Sequence, residues 1–566
     1  MSKIWNYTPV NNLSLLEDLQ NQINVNAFIA ESLIKRGVSN FNQAKAFFRP
    51  SLELMNSPFL MLNMQTAVDC IVQYRNEKIL IYGDYDVDGT TAVSVLFNFL
   101  KRNNFNVEYY IPSRYKEGYG VSMLGVQKAV DENFKLMIAL DCGITALEQA
   151  DVLQKNGIDF IICDHHLPGE NLPNAIVLNP KQANCTYPFK ELSGCGVGFK
   201  LIQALIQNNI GNMDMVKPDL PLLALSIGAD MVPVVDENRC LSALGLQQMG
   251  LEYNHGLKLL VEACKLQAPF KMQDIGFTIG PRINAAGRMD DALKVVELFT
   301  NPLPLEDLKE LVKDIEEDNS FRKLEEETVV KEALAIALSN NEHENKFTTV
   351  VHHPNWKKGV IGIAASQLQK TLHVPTIVLT QNDEDEYFTG SGRSVGTINL
   401  YECLKECSDL LIKFGGHAAA AGLTIEEKNI PLFAQKFNAV VQQKSVQQDF
   451  VQRLNIDAYI NFSQITLKSV QVLNQFEPCG IQNPKPIWAS QNVKSKYVSV
   501  VGKNHLKLKL YQIHEPDCTV DAIFFSAVEH YEKIVNSTFS IAFELDINNW
   551  NNQKNIQLLV RDIQFV

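Results

Sequence analysis

Residues 78–91 read KILIYGDYDVDGTT. An apolar run, Ile79 to Tyr82, stops at Gly83 and gives way to three alternating carboxylates, Asp84, Asp86 and Asp88. The continuation TTAVSVLFNFLKR has the apolar spacing of a helix. Strand, acidic turn and helix thus follow one another within 25 residues, 78–102. Working outward, NVEYYIP (106–112), LMIALDCG (136–143), DFIICDHH (159–166) and AIVLNP (175–180) are further apolar runs with helical stretches between them. Strands alternating with helices predict βαβ units and a mainly parallel sheet. In such a sheet the carboxyl ends of the strands share one edge, and ligands bind there.

Three of these runs deliver chemistry to that edge: Asp84, Asp86 and Asp88 from the first, Asp141 from the third, and Asp164, His165 and His166 from the fourth. Asp230 follows another apolar run, LALSIGA. So many carboxylates in one crevice raise each other's pKa unless a counter-charge is present. Divalent cations remove the conflict. Oxygen-rich ligation suits Mg²⁺ or Mn²⁺, and an imidazole tilts the choice toward Mn²⁺. Two ions bridged by one carboxylate would activate water and stabilise a phosphoryl leaving oxygen. Asp141, alone at its strand end between the other groups, is the expected bridge. An EF-hand is excluded, because Gly89 is followed directly by a helix start rather than by a loop ending in glutamate.

The rest of the chain reads as several folded domains. At about 100–200 residues per domain, 566 residues suggest roughly three to four domains. With 46% hydrophobic and 20% charged residues the chain can bury cores. A net charge of −13 argues against a polycation but leaves room for a local basic groove. The 11 cysteines are scattered without a CxxC pair, and no basic-then-apolar leader or membrane-length run is seen, which predicts free thiols in the cytoplasm and no membrane partner. The first 70 residues read as short helices, with Ser39 expected to cap one ending near Phe48. Leu305 to Leu338 reads as one long helix with a break near residues 318–320. A second α/β block covers 347–445, and short alternating strands after residue 450 suggest a small barrel. The expected division is 1–70, an N-terminal helical segment; 71–300, the catalytic domain; 301–345, a connector helix; 346–450, the second α/β domain; and 451–566, an OB-like nucleic-acid-binding barrel.

Several features suit a polynucleotide. Glycine-rich SGCGVG and GGHAAAAG, with Gly415 and Gly416, let backbone N–H groups approach phosphate. Arg288, Arg393 and, more weakly, Arg282 offer guanidinium forks for phosphate, Arg393 with Ser391 in GSGRS. HLKLKL places Lys507 and Lys509 on one strand face near Lys503 and aromatic residues, as in folds that hold single strands.

GDYDVDGTT, LDCGIT, CDHH and GADMVP, in that order, resemble the four motifs of the DHH phosphoesterase superfamily. KRGVSNFNQAKAFFRPSL, SPFLMLNM, GPRINAAGRM, WKKGVIGIAASQL, GSGRS, GGHAAAAGLTI and FEPCGIQNPKPIW extend the resemblance over nearly the whole chain and narrow it to the RecJ family of bacterial single-strand-specific 5′→3′ DNA exonucleases. The resemblance implies a parallel-sheet DHH catalytic domain, a connector helix, a DHH-associated α/β domain and an OB-like barrel. It implies that Asp84, Asp86, Asp88, Asp141, His165 and Asp230 hold two Mn²⁺ or Mg²⁺ ions, that Asp164 orients His165, and that His166 faces the scissile phosphate. It assigns His417 to the strand. It further implies action in DNA recombination and repair on single-stranded DNA, alongside a helicase and a single-strand-binding protein; a monomer is expected. Two other readings are a DHH phosphoesterase of short oligonucleotides or cyclic dinucleotides, and a non-catalytic nucleic-acid-binding scaffold. The second should have lost ligand positions, whereas every one is kept.

Overall fold

The KILIY run forms the first strand of a five-stranded parallel sheet because its residues are buried on both faces. In the computed structural model, which describes residues 3–251, 253–289, 291–300, 303–339, 347–382, 386–550 and 553–565, the strands are β1 (Lys78–Gly83), β2 (Asn106–Tyr110), β3 (Leu136–Leu140), β4 (Asp159–Cys163) and β5 (Ile176–Leu178), in the order β2-β1-β3-β4-β5. Ile79, Ile81, Ile138 and Ile161 enter one core, while Leu80, Tyr82, Met137, Ala139, Phe160 and Ile162 enter another on the opposite face. That double burial explains why the strands read as continuous apolar runs rather than alternating ones. The strand order reverses at β1 and β3, so the crevice at their carboxyl ends is the expected ligand position.

Five helices frame this crevice or lead away from it: α1 (Val87–Arg102), α2 (Gly194–Gln207), α3 (Leu220–Ala229), α4 (Gly280–Met289) and α5 (Leu305–Ser339). Asp86 caps α1, its side chain accepting from the Gly89 N–H, and Lys101 and Arg102 in the last turn complement the helix dipole. The LALSIGA run is the end of α3, so Asp230 arrives from a helix C-terminus rather than a strand end. The N-terminal helix Phe41–Phe48 is capped by Asn40, not Ser39; the Asn40 side chain accepts from the Gln43 N–H, and Ser39 bonds the Gln43 side chain instead.

α5 is continuous, without the break expected near residues 318–320. Asp318 pairs with Lys294 at 2.5 Å, and the Asn319 side chain accepts from Arg322 at 3.1 Å. The side chains that favour turns by bonding their own backbone are therefore engaged elsewhere.

The chain divides into two compact units. The larger comprises Thr8–Asp318, Asp457–Arg561 and Phe565–Val566, so the N-terminal helices and the C-terminal barrel belong with the parallel sheet. In the barrel, Trp488–Val501, His505–Gln512, Glu515–Phe524, Gln553–Phe565 and Phe539–Trp550 follow one another, and pairing of the first with the last closes the sheet. Leu506, Leu508 and Leu510 point inward and Lys507 and Lys509 outward, as the HLKLKL alternation predicts.

The smaller unit comprises Met1–Tyr7, Asn319–Ile456 and Asp562–Gln564. Its sheet runs Lys413–Gly416, Ala420–Glu426, Tyr387–Arg393, Thr376–Gln381, Thr349–His352, with only the last pair parallel. Within it GGHAAAAG is a β-hairpin, and GSGRS ends a strand. All 11 cysteines are free thiols. No helix among the described residues is long and apolar enough to cross a membrane.

Candidate active site

β1 ends at Gly83 and releases Asp84, buried, into the crevice; β3 ends at Leu140 and releases Asp141 in a left-handed conformation, φ 60°. The turn after β4 carries Asp164, His165 and His166. Three groups of side chains have ligand atoms within 4.8 Å of one another: Asp84, Asp86 and Asp141; Asp141, His165 and His166; and Asp88, His165 and Asp230. Each residue expected at the metal pair is thus brought to one crevice, and Asp141 and His165 each belong to two of the groups.

The site is short of positive charge. Burial, then Asp86, pushes the Asp84 carboxyl well above the usual carboxylate range. Burial, then Asp88, raises Asp86. Burial and four neighbouring carboxylates push Asp141 well up. Burial, then Asp88 and Asp86, lifts Asp230 to about 8. Burial lowers His165, which keeps its imidazole neutral and able to ligate. Asp84 Oδ1, Asp141 Oδ1 and both ring nitrogens of His165 are buried without a hydrogen-bond partner. Buried polar atoms are normally paired, so the two orphaned carboxylate oxygens and the unprotonated nitrogen of the His165 ring fit divalent cations. His165 Nε2 lies 3.2 Å from Asp141 Oδ1, 3.6 Å from Asp230 Oδ2 and 3.9 Å from Asp88 Oδ2.

Asp164 departs from its expected role. Its Oδ1 accepts from the backbone N–H of both His165 and His166 and lies 2.7 Å from His166 Nδ1; Oδ2 accepts from Ile144 N–H at 2.9 Å. It therefore orients the His166 ring, not that of His165, because the tight turn carries only the second imidazole back over the carboxylate. Burial alone would lower His166, but this bond and the Asp164 charge raise it. Burial alone would raise Asp164, yet the His166 bond and the backbone donors hold it below the usual carboxylate range.

SGCGVG also departs from expectation. It opens α2, but its first amides serve a carboxylate: Gly194 N–H donates to Asp88 Oδ2 and Cys195 N–H to Asp88 Oδ1, each at 2.7 Å. A helix N-terminus favours an anion, and here the anion is internal. A Cβ on Gly194 would lie 2.5 Å from Asp141 Oδ1, so a side chain there would displace a ligand.

GPRINAAGRM is α4, and it packs on the acidic turn. Asn284 Oδ1 accepts from Val87 N–H at 3.3 Å, and a Cβ on Gly287 would lie 2.5 Å from the Tyr85 carbonyl oxygen. The Arg288 carbonyl accepts from the Tyr115 hydroxyl, which holds the arginine's backbone beside the site. Arg282 does not suit the phosphate role expected of it: it forks onto Glu316 of α5 and donates to the Thr278 carbonyl at 2.8 Å. Sequence reasoning missed Asn284, Ser193, Ser226 and Tyr119, whose hydroxyl sits 3.2 Å from a His166 ring nitrogen.

In the smaller unit, Arg393 Nη1 donates to Ser391 Oγ at 3.0 Å and Nε to Ser366 Oγ at 3.0 Å. His417 is exposed at the turn of the hairpin. Gly415 leaves open space where a side chain would be, and Gly416 has φ 137° and lies against Ala421. On the barrel, Lys503 is exposed in a turn, and Lys509 stands across from exposed Tyr497.

Comparison with known proteins places this geometry. Residues 78–227 match the DHH family N-terminal domain, 344–443 the DHHA1 domain and 456–562 the RecJ OB domain. The single-stranded-DNA-specific exonuclease RecJ of Bacillus subtilis (strain 168) is 36% identical over 554 residues, covering 97% of this chain and 69% of its own. The chain belongs to the RecJ family. RecJ of Thermus thermophilus, in complex with Mn²⁺, shares the fold: TM-score 0.84, 24% identity, 99% of this chain and 79% of that one. An exonuclease RecJ bound to manganese is 30% identical, with TM-score 0.59 over 69% of this chain and 96% of that one. The parallel-sheet DHH domain, the DHHA1 domain and the closed barrel of the family are all present here.

Proposed function

We propose that this chain is a metal-dependent exonuclease that hydrolyses single-stranded DNA from the 5′ end, in recombination and repair. The observation that carries the reading is the convergence of Asp84, Asp86, Asp88, Asp141, His165 and Asp230 in one crevice with buried acceptors lacking partners. In this reading Asp84, Asp86 and Asp141 would hold one Mn²⁺ or Mg²⁺ ion and Asp88, His165 and Asp230 the other. When bound, the ions activate water and stabilise the leaving oxygen. His166, held by Asp164, would face the scissile phosphate. In the larger unit Arg288 contacts the strand, and Lys503, Lys507 and Lys509 of the barrel hold it; in the smaller unit Ser391, Arg393, Gly415, Gly416 and His417 are the proposed strand contacts. The five segments 1–70, 71–300, 301–345, 346–450 and 451–566 are the proposed functional divisions. A monomer in the cytoplasm, working behind a helicase and beside a single-strand-binding protein, completes the proposal.

The test uses 5′-labelled and 3′-labelled single strands and duplexes, with Mn²⁺ and with chelator. Labelled nucleotide should appear first from the 5′-labelled single strand, only with metal. Equal attack on blunt duplex, or earlier release from the 3′ label, would sink the proposal.

A further inference from the structure

Asp88, one of the carboxylates expected to hold metal, accepts three short hydrogen bonds from within the protein. Its Oδ1 accepts two hydrogen bonds, from Cys195 N–H and from the Ser226 hydroxyl, each at 2.7 Å; its Oδ2 accepts one, from Gly194 N–H at 2.7 Å. Ser226 Oγ also lies 2.6 Å from Ser193 Oγ, which itself accepts from Gly196 N–H at 3.1 Å. Asp88, Ser193 and Ser226 are all buried.

The protons can be assigned. Ser226 has a single hydroxyl hydrogen, and the carboxylate is the stronger acceptor. That hydrogen goes to Asp88, so the Ser193 hydrogen goes to Ser226 Oγ. The result is a directed chain, Gly196 N–H to Ser193 O–H to Ser226 O–H to Asp88, in which each bond polarises the next. A carboxylate oxygen has about two acceptor positions, so Oδ1 is filled and Oδ2 keeps one. Oδ2 is the oxygen that faces His165 Nε2, at 3.9 Å. Ser226 has a second hold on the same group: its carbonyl accepts from Asp230 N–H at 3.0 Å. One residue of α3 therefore bonds the Asp88 carboxylate and the backbone of Asp230, two of the three acidic residues around His165 Nε2.

We infer that Ser226 is a positioning residue that makes Asp88 a one-oxygen ligand, through Oδ2, to the ion shared with His165 and Asp230. The inference rests on the metal-dependent reading of the site. Nothing in the residue's setting advertised it, since it lies inside the apolar run LALSIGA.

The test is Mn²⁺ binding to the full chain without DNA, by calorimetry and by the loss of the free-ion paramagnetic resonance signal. Ser226→Ala should weaken the ion coupled to Asp88 about 10- to 100-fold, the usual effect of removing a partner of a metal ligand. Ser226→Cys, close in size but a weaker donor, should fall between. In an Asp88→Asn background, Ser226→Ala should have little further effect, because the residue acts through that carboxylate. Wild-type affinity in either single variant, or additive losses in the double variant, would overturn the inference while leaving the metal-dependent reading intact. Absence of Mn²⁺ binding by the wild-type chain would overturn both.

Discussion

Replacing Gly194 by alanine tests whether the crevice geometry is what sets the rate. Gly194 is the first residue of α2, and an added Cβ would stand 2.5 Å from Asp141 Oδ1, 2.6 Å from its Cβ and 2.7 Å from its Cγ. Carbon contacts are comfortable at about 3.5–4.0 Å, so roughly 1 Å of movement is required. Asp141 cannot yield easily, since its N–H is bonded to the Cys163 carbonyl at 2.9 Å and its side chain is buried. Nor can α2 retreat freely, because its first two amides hold Asp88. Whichever side gives, a ligand moves. Overpacking of this kind costs about 1–3 kcal/mol of stability, and a 1 Å misplacement of reacting groups about 10²-fold in rate.

The control lies one turn further along the same helix. A Cβ on Gly198 would meet only Leu140 Cδ2, at 3.1 Å, the end of a flexible side chain. Gly198→Ala should keep near-wild-type turnover and lose little stability, helped by the better helix propensity of alanine. The assay is Mn²⁺-dependent release of nucleotide from a 5′-labelled single strand, with denaturant unfolding of each variant in parallel. Full turnover by Gly194→Ala at the wild-type Mn²⁺ concentration would refute the reasoning, as would equal losses at both positions.

Asp141→Asn should abolish cleavage yet raise the melting midpoint in chelator, because without metal the buried carboxyl must either ionise against Asp88, Asp86, Asp230 and Asp84 or take up a proton at a cost, and the amide does neither; melting with EDTA and with Mn²⁺ checks this, and an apo form no more stable than wild type would count against it. Lys507→Ala with Lys509→Ala should lower the slope of log affinity against log salt by about 1.4, at roughly 0.7 for each single-strand phosphate no longer neutralised; fluorescence anisotropy over a salt series reads it, and an unchanged slope removes these lysines from the interface. Asp449 accepts from Val446 N–H, Thr397 N–H and the Thr397 hydroxyl, and although burial opposes it, these donors depress its pKa. A depressed carboxyl stabilises above its unfolded pKa and loses that contribution as pH falls through the folded one. Asp449→Asn should therefore cost about 1.5–3 kcal/mol at pH 7 and progressively less below about pH 4; denaturant titrations at both pH values decide it, and a pH-independent difference would speak against a charge effect.

What the sequence disclosed and what it hid follow from the range over which each feature is determined. Strand ends were legible because apolar runs and the acidic turns after them are local, and a parallel sheet gathers its carboxyl ends at one edge whatever the loops do. Asp84, Asp141 and the Asp164–His166 turn therefore converge as their positions predict. Partner choice was not legible, because it depends on which group lies within 3 Å after folding. Asp164 could have oriented either of two adjacent imidazoles, and only the turn geometry selects His166. Arg282 reads as a phosphate ligand until Glu316, 34 residues away, occupies its fork. The seven-residue run LALSIGA fits a strand or a helix by pattern alone, and its buried Ser226 is indistinguishable from core filling.

The misreading of SGCGVG has the largest chemical consequence. Amides at a helix N-terminus bind the nearest suitable anion, and in this fold that anion is Asp88 rather than a phosphate. The donors that sequence alone would aim at the substrate are thus spent on fixing a metal ligand. In the proposed reaction, contacts to the scissile phosphate must then come from side chains, His166 first among them, with the ions. That division of labour predicts that substituting His166 lowers turnover while sparing Mn²⁺ affinity, whereas disturbing the start of α2 does the reverse first: it loosens the metal, and turnover falls because the metal is lost.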